Sequence, residues 1–436
     1  MPEDAGHIIE KLNEHGYEAY IVGGCVRDAL IGKEPDDWDI TTSATPKQVK
    51  AVFPHTVDTG IEHGTVTVLM RDNERNIRGY EVTTFRIDGE YKDGRHPANV
   101  EFTPSLEEDL KRRDFTINAM AYNDETGIVD LFGGLADIEN HVIRCVGDPD
   151  ARFGEDALRL MRAVRFAAQL GFTIEPGTFA AVSRNAASLS KVSRERVYTE
   201  LNKLICSARP DDIRMLLQVG LAPHIAEDFD RINTDVINTV MDSVRMNGSI
   251  LSNDVYGELV RMFDGSGSKR DALSFCRKTA LSCRYLRYAF VFSDLGAESA
   301  SGILKALKSD NDTADRTHTL VAHIKDQIPL DRYGMKKLAG SMTAELFADL
   351  LVLKASLDCI WGKEQKKLEQ AAEMYADIVR RREPVYLKDL EIKGTDLIRA
   401  GVKPGPELGR LLNRMLDDVR REPEHNSVEY LIEHYV

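Results

Sequence analysis

Asp37-Trp38-Asp39 places two carboxylates one residue apart. On an extended strand, side chains at i and i+2 share a face, so the pair projects together while Trp38 and Ile40 turn to the core. Two outward carboxylates repel unless a cation neutralises them. A pair of magnesium ions about 3.5–4 Å apart would do so and would support in-line phosphoryl transfer. Glu81, in Tyr80-Glu81-Val82-Thr83-Thr84, can supply a third carboxylate. Read alone, Asp36 and its neighbours fit a plain acidic loop equally well, and Glu81 fits a solvated strand residue.

Fifteen residues before Asp37 begins the stretch Val22-Gly23-Gly24-Cys25-Val26-Arg27-Asp28. Gly23 and Gly24 let backbone approach a ligand closely. The start of a helix favours an anion, and Arg27 adds a planar donor fork suited to phosphate. Further on, Glu155-Asp156-Ala157-Leu158-Arg159 with Arg162 falls on an expected helix, where i, i+3 and i+4 positions share a face. An Asp accepts from the exocyclic amine of cytosine or adenine, and an Arg donates to the ring acceptor beside it. Uracil and guanine would leave both groups unpaired, at about 1–3 kcal/mol each. The spacing equally fits a surface salt-bridge ladder.

These residues need a scaffold. Residues 18–23 read as a buried strand, with a helix following to Gly32, and Asp37 to Thr41 as a second strand. Thr45-Pro46 reads as a capped helix start. Residues 65–70 and 79–86 read as strands around a polar turn, and Ser105 with Glu108 as a capping box ahead of a basic helix. From about Asp150 strand signals fade. Residues 154–170 and 194–205 are expected helices, and helical periodicity runs to the end. The chain thus reads as a small α/β head carrying an extended helical body.

The 436 residues exceed one ordinary core and call for two to four packed units. No apolar run approaches the roughly 20 residues of a membrane span, and the acidic start Met1-Pro2-Glu3-Asp4 does not resemble a signal peptide. A cytoplasmic protein with no membrane partner is expected. None of the six cysteines forms a C-x-x-C pair, which leaves zinc and redox motifs unsupported. A net charge of -14 argues against nucleic-acid binding by the whole surface, but residues 151–210 carry ten Lys or Arg against five Asp or Glu. That local excess suits a phosphate backbone.

Ile21 to Thr42 resembles the signature of class II tRNA nucleotidyltransferases and bacterial poly(A) polymerases. The resemblance continues through Arg112 to Ala121 (RRDFTINAMA), Asp130 to Gly134, and Asp148 to Phe166, and covers at least residues 18–205. It implies an α+β fold: a polymerase-β-like nucleotidyltransferase head (1–147) with a mixed sheet, then an elongated all-helical neck (148–209), body (210–330) and tail (331–436), the last two binding tRNA. It implies that Asp37 and Asp39 hold catalytic Mg2+, with Glu81 as the third acidic residue. Gly23, Gly24 and Arg27 would contact the triphosphate. Arg112, Arg113, Asp114 and Asn118 would position ribose and phosphates, Asp114 on the 2′-hydroxyl. Glu155, Asp156, Arg159 and Arg162 would select the base, braced by Ser193 to Glu200 and Lys203.

Within that family the residues lean towards CCA addition to a tRNA 3′ end from CTP and ATP. The motif ends Asn118-Ala119-Met120-Ala121. Arg86 to Pro97, with Asp88, Tyr91 and Arg95, resembles the loop that full CCA enzymes need to switch from C to A. The end of the chain is acidic and apolar. None of the eleven histidines is followed by Asp, so no phosphohydrolase motif is present. A poly(A) polymerase and a partial CC- or A-adding enzyme stay open as alternatives. A non-catalytic RNA-binding scaffold is opposed by the intact acids, and a small-molecule nucleotidyltransferase by the helical body. The oligomeric state is not legible.

Overall fold

The computed structural model describes residues 1–71, 77–88, 100–207, 209–233, 284–361 and 365–436. The chain divides into two compact units, Met1–Asp230 and Arg231–Val436.

The first unit is built on a seven-stranded sheet ordered β3-β4-β5-β2-β1-β8-β9. Helix α1 (Glu3–Glu14) leads into β1 (Ala19–Val22), α2 (Gly24–Leu30) and β2 (Ile40–Thr42); α3 (Pro46–Val52) precedes β3 (Thr56–Gly60), β4 (Thr65–Arg71) and β5 (Ile77–Thr84). The pairing of β2 with β5 is parallel; β1–β2, β1–β8, β3–β4, β4–β5 and β8–β9 are antiparallel. One face is sealed by α1, whose Ala5, Ile8, Ile9 and Leu12 recur at helical spacing, packed with Val49 of α3 and with Ile21, Ile40, Val66, Val68 and Val82. As expected, α3 starts at Pro46 directly after Thr45; in addition Gln48 Oε1 accepts from the Thr45 N–H at 2.8 Å.

A short ribbon, β6 (Arg86–Asp88) with β7 (Val100–Phe102), branches off after β5. Next come α4 (Leu106–Lys111), β8 (Met120–Asn123), β9 (Gly127–Asp130), α5 (Gly134–Glu139) and β10 (Val142–Ile143). Beyond β10 the unit is helical except for β11 (Thr173–Ile174), which pairs with β10: α6 (Pro149–Glu155), α7 (Leu158–Leu170), α8 (Pro176–Asn185) and α9 (Arg194–Ile205). Described residues of the second unit form helices and 3-10 turns without strands. Its last portion has its own core, in which Leu390, Ile392 and Leu397 meet Met415, Leu416 and Val419 of the helix Pro406–Arg421, and Leu431. Among the described residues no helix is long and apolar enough to cross a membrane.

Four expectations need correction. Asp37 and Asp39 precede β2 rather than lying within it; the Val22 N–H still donates to the Asp39 carbonyl at 3.0 Å, so strand-like pairing reaches back to Asp39. Residues 154–170 are not one helix: Asp156 is extended (φ −138°, ψ 104°) between α6 and α7. Only half of the expected capping box forms at α4, with Ser105 Oγ accepting from the Glu108 N–H at 3.4 Å while the Ser105 N–H donates to Thr103. That helix opens on Glu107, Glu108 and Asp109, so it is acidic at its start and basic only where it ends.

Helices α7 and α9 are joined by Arg165 and Glu200, both buried, with Nε donating to Oε2 at 2.8 Å. Removing one member of such a pair leaves an uncompensated buried charge. Glu200→Ala is expected to destabilise the protein by about 3–5 kcal/mol, read as a lowered midpoint in urea.

Candidate active site

Ile40 stands opposite Val82 in the parallel pair, and both point into the core sealed by α1 and α3. Alternation then puts the residues before them, Asp39 and Glu81, side by side on the other face. Trp38 packs partly against the core, as expected, leaving Asp37 with Asp39. The consequence is electrostatic. Asp39 keeps solvent-facing surface, but the protein around it still pushes its carboxyl up. Arg113 opposes that rise and Asp37 adds to it. Glu81 is raised by desolvation and by the charges of Asp39 and Asp37. Three acids from two strands therefore share one field. Among the described residues no three His, Cys, Asp or Glu side chains converge closely enough to form a complete metal cage. Magnesium needs no such cage, since it takes one or two carboxylates plus substrate phosphates and water.

Beside the acids lies the glycine turn. Gly23 has φ 83°, a left-handed conformation that favours glycine. A Cβ there would meet Arg113 Nη1 at 2.8 Å, the end of a side chain that can shift, so it is the backbone conformation that calls for glycine. Its N–H donates to the Met120 carbonyl. Arg27 is buried, with Nε and Nη2 on the Asp28 carboxylate at 2.9 Å and Nη1 on Asn118 Oδ1 at 2.5 Å. Asn118 in turn donates to Asp114 Oδ1 at 3.1 Å. Gly23, Arg27, Arg113, Asp114 and Asn118, far apart in sequence, thus form one connected group. Arg113 Nε is buried with no hydrogen-bond partner among the described residues, which fits a guanidinium set to receive an anion.

Asp114 is fully engaged: Oδ1 also accepts from the Phe115 N–H, and Oδ2 takes the Arg162 fork at 2.7 and 2.6 Å. Burial alone would raise its carboxyl. Arg162, Asn118 and Arg159 outweigh that and hold it at about 2. Arg162 is therefore tied to the ribose motif rather than to the Glu155–Asp156 segment. Phe166, one turn further along α7, has the guanidinium carbons of Arg27, Arg162 and Arg165 at 5.0, 5.2 and 3.5 Å from its ring centre.

The break in the helix rearranges the expected base-reading face. Glu155 makes the i, i+4 contact to Arg159 that its spacing allows, at 2.5 Å, while Asp156 turns to α9. Arg159 is buried and also donates to the Arg152 and Arg112 carbonyls. Asp156 takes the Arg196 fork at 2.7 and 3.3 Å and accepts from the Leu158 N–H at 3.0 Å. Arg196, on α9, belongs to the stretch expected to brace this segment. Asp88 ends β6, while Tyr91 and Arg95 of the expected loop lie outside the described residues.

Sequence reasoning passed over Asp109, Asp28 and Phe166. Asp109 is wholly buried and accepts from Arg112 and Arg113. Its i, i+3 and i+4 spacing to two arginines was a legible signal. Phe166 stands four residues after Arg162, the spacing of one helical face, and could have been found in the same way.

Residues 19–144 match the Poly A polymerase head domain, residues 171–232 a probable RNA and SrmB-binding site of polymerase A, and residues 285–434 a putative tRNA nucleotidyltransferase domain 2. The CCA-adding enzyme of Limosilactobacillus fermentum is 36% identical over 99% of this chain and 95% of its own. That of Ligilactobacillus salivarius is 37% identical over 98% and 94%. The crystal structure of the Bacillus stearothermophilus CCA-adding enzyme in complex with CTP aligns with a TM-score of 0.72 at 31% identity, covering 99% of this chain and 98% of that one. With identity above 30% along nearly its whole length, and with the acids, glycine turn and arginines gathered in one place, the chain belongs to the CCA-adding enzymes, a family of metal-dependent tRNA nucleotidyltransferases.

Proposed function

We propose that this chain adds C, C and A in turn to the 3′ end of tRNA, from CTP and ATP, in the cytoplasm, where those substrates meet. The observation that carries this reading is the gathering of three mutually repelling carboxylates beside Arg113, whose Nε has no partner among the described residues. Of the solved relatives, that of Bacillus stearothermophilus was crystallised with CTP.

Asp37 and Asp39 are the residues that would hold Mg2+, with Glu81 reinforcing the negative field. The donor set fits: all oxygen, with the Asp39 carboxyl raised by desolvation and by the charge of Asp37, which a hard cation relieves. When bound, the metal supplies charge neutralisation for the attacking and leaving oxygens. This chain's own residues do the rest. Gly23 and Gly24 allow the triphosphate to approach the backbone, Arg27 and Arg113 face its charge with Arg112 alongside, and Asp114 with Asn118 orders the ribose end. The domains follow: 1–147 catalytic, 148–209 reading the base, 210–330 and 331–436 gripping tRNA.

Base choice is assigned to Asp156 and Arg159, with Glu155 fixing Arg159 and Arg196 fixing Asp156. A carboxylate and a guanidinium held by protein partners keep one pattern of acceptor and donor, which C and A satisfy and U and G do not. Arg159→Ala should slow correct addition and narrow the preference for CTP over UTP by about 5- to 150-fold. Arg196→Ala, which frees Asp156 without touching the base, should narrow it less. The measurement is kcat/KM for all four nucleoside triphosphates on a tRNA ending before the first C. An unchanged ranking with a lower melting temperature would reduce both residues to structural roles.

The metal assignment has a stability consequence. Asp39 has a raised folded-state pKa, so its ionisation opposes folding: stability falls as pH rises through the ordinary Asp value towards the raised one. Asp39→Asn removes that opposition. At pH 7.5 in EDTA it should melt higher than wild type, by about 2 °C, while losing nucleotide transfer. Magnesium should raise the melting temperature of wild type and not of the variant. Near-normal turnover by Asp39→Asn, or by Asp37→Ala, would show that the metal site lies elsewhere.

The segment carried by β6 and β7 is assigned to the switch from C to A. Shortening Asp88 to Arg95 should leave two C additions intact and stop the terminal A. A shortened enzyme that still completes CCA on a sequencing gel would leave the segment without that role.

A further inference from the structure

Asp109 on α4 is the most heavily used buried carboxylate near the site, although it lies outside every motif assigned above. Its side chain has no exposed surface. Oδ1 accepts from Arg112 Nε at 3.0 Å, Arg112 Nη2 at 2.9 Å and the Arg86 backbone N–H at 3.3 Å. Oδ2 accepts from Arg113 Nη2 at 3.3 Å and Thr41 Oγ1 at 3.3 Å. Two oxygens offer about four lone-pair positions, and five donors use them.

The donors come from the parts of the site that must stay in register. Thr41 lies two residues beyond Asp39, on the face of the acids. Arg113 lies against Gly23 and opposes the rise of Asp39. Arg86 opens the β6–β7 ribbon. The Arg112 carbonyl accepts from Arg159 Nη2 at 2.9 Å, so the base-reading arginine rests on the same node. Burial would raise Asp109, and the charges of Arg112 and Arg113 overcome it, keeping the group ionised. Two adjacent arginines repel each other, and the Asp109 carboxylate that accepts from both offsets that repulsion.

We propose that Asp109 is a positioning residue for nucleotide transfer: its single buried carboxylate sets Arg112 and Arg113 against the strand that delivers Asp37 and Asp39 and against the root of the β6–β7 ribbon. The proposal rests on the reading that Arg113 and Arg112 meet the triphosphate. It differs from a purely structural role, which would lower stability without selecting one substrate.

Three variants test it. Asp109→Asn keeps the shape and removes the charge; it should raise KM for both CTP and ATP by about 10- to 100-fold, with KM for tRNA unchanged. Thr41→Val removes one donor and should raise the nucleotide KM about 3-fold. It keeps the proposal testable should Asp109→Asn fail to fold. The double variant should be no worse than Asp109→Asn, since Thr41 acts through the carboxylate. Arg113→Ala separates the two layers. If it leaves the nucleotide KM unchanged, the triphosphate reading and this proposal both fall. If Arg113→Ala raises that KM while Asp109→Asn and Thr41→Val only lower the melting temperature, the positioning role alone is overturned. Independent, multiplying effects of Thr41→Val and Asp109→Asn would also overturn it.

Discussion

Asp39 and Glu81 are kept side by side by backbone pairing, with Asp37 two residues before, while their charges push them apart. Parallel pairing of β2 with β5 fixes Asp39 beside Glu81, and the buried Ile40 with the half-buried Trp38 fixes which way the pair faces. Burial and mutual repulsion raise the Asp39 and Glu81 carboxyls, a cost that the α1–α3 face of the sheet offsets by burying Ile8, Leu12, Val49 and Val82. The rest of the site answers this arrangement with the opposite treatment of its arginines. Arg27 is held by Asp28 and Asn118, Arg112 and Arg113 by Asp109, Arg162 by Asp114 and Arg159 by Glu155. Cations are fixed in advance by protein anions, whereas Asp39 and Glu81 are raised, with Arg113 opposing the rise of Asp39.

This asymmetry suits a site that must take a triphosphate with its metal. Fixed guanidinium groups need little reorganisation when the anion arrives, which is where electrostatic preorganisation gains its effect. The same economy reaches the base. Arg159 rests on the Arg112 carbonyl, so the group that would read a base and the group that would hold phosphates share a support. Phe166 gathers Arg27 from the head with Arg162 and Arg165 from the neck around one ring, joining the two regions without a further charge.

Much of this was legible in the chain. The paired acids, the glycine turn and the basic neck stand out by residue type and spacing, and the start of α3 by its Thr45-Pro46 pair, whereas α1 was passed over although Ala5, Ile8, Ile9 and Leu12 recur at helical spacing. The misplacements have physical causes. Asp37 to Thr41 alternates like a strand, but only from Ile40 does a neighbour, β5, complete the ladder. Asp156 sits in a sequence with helical spacing, yet it accepts from the Leu158 N–H and takes the Arg196 fork. That local competition for backbone donors is what lowers the helix preference of Asp. The role of Asp109 escaped because it looks like one more acidic residue in a helix's first turn. Its partners Thr41 and Arg86 are 68 and 23 residues away, a distance only the folded sheet closes.

An acid cluster, a set of anchored arginines and a protein-held Asp156–Arg159 pair would together write a defined three-nucleotide end. The most direct measurement offers the unaltered protein a tRNA ending before the first C, with all four nucleoside triphosphates and magnesium present together, and sequences the 3′ ends. The account predicts molecules ending in CCA and no longer, with U and G rare. A run of A residues, or a mixed sequence that follows nucleotide concentration, would contradict it.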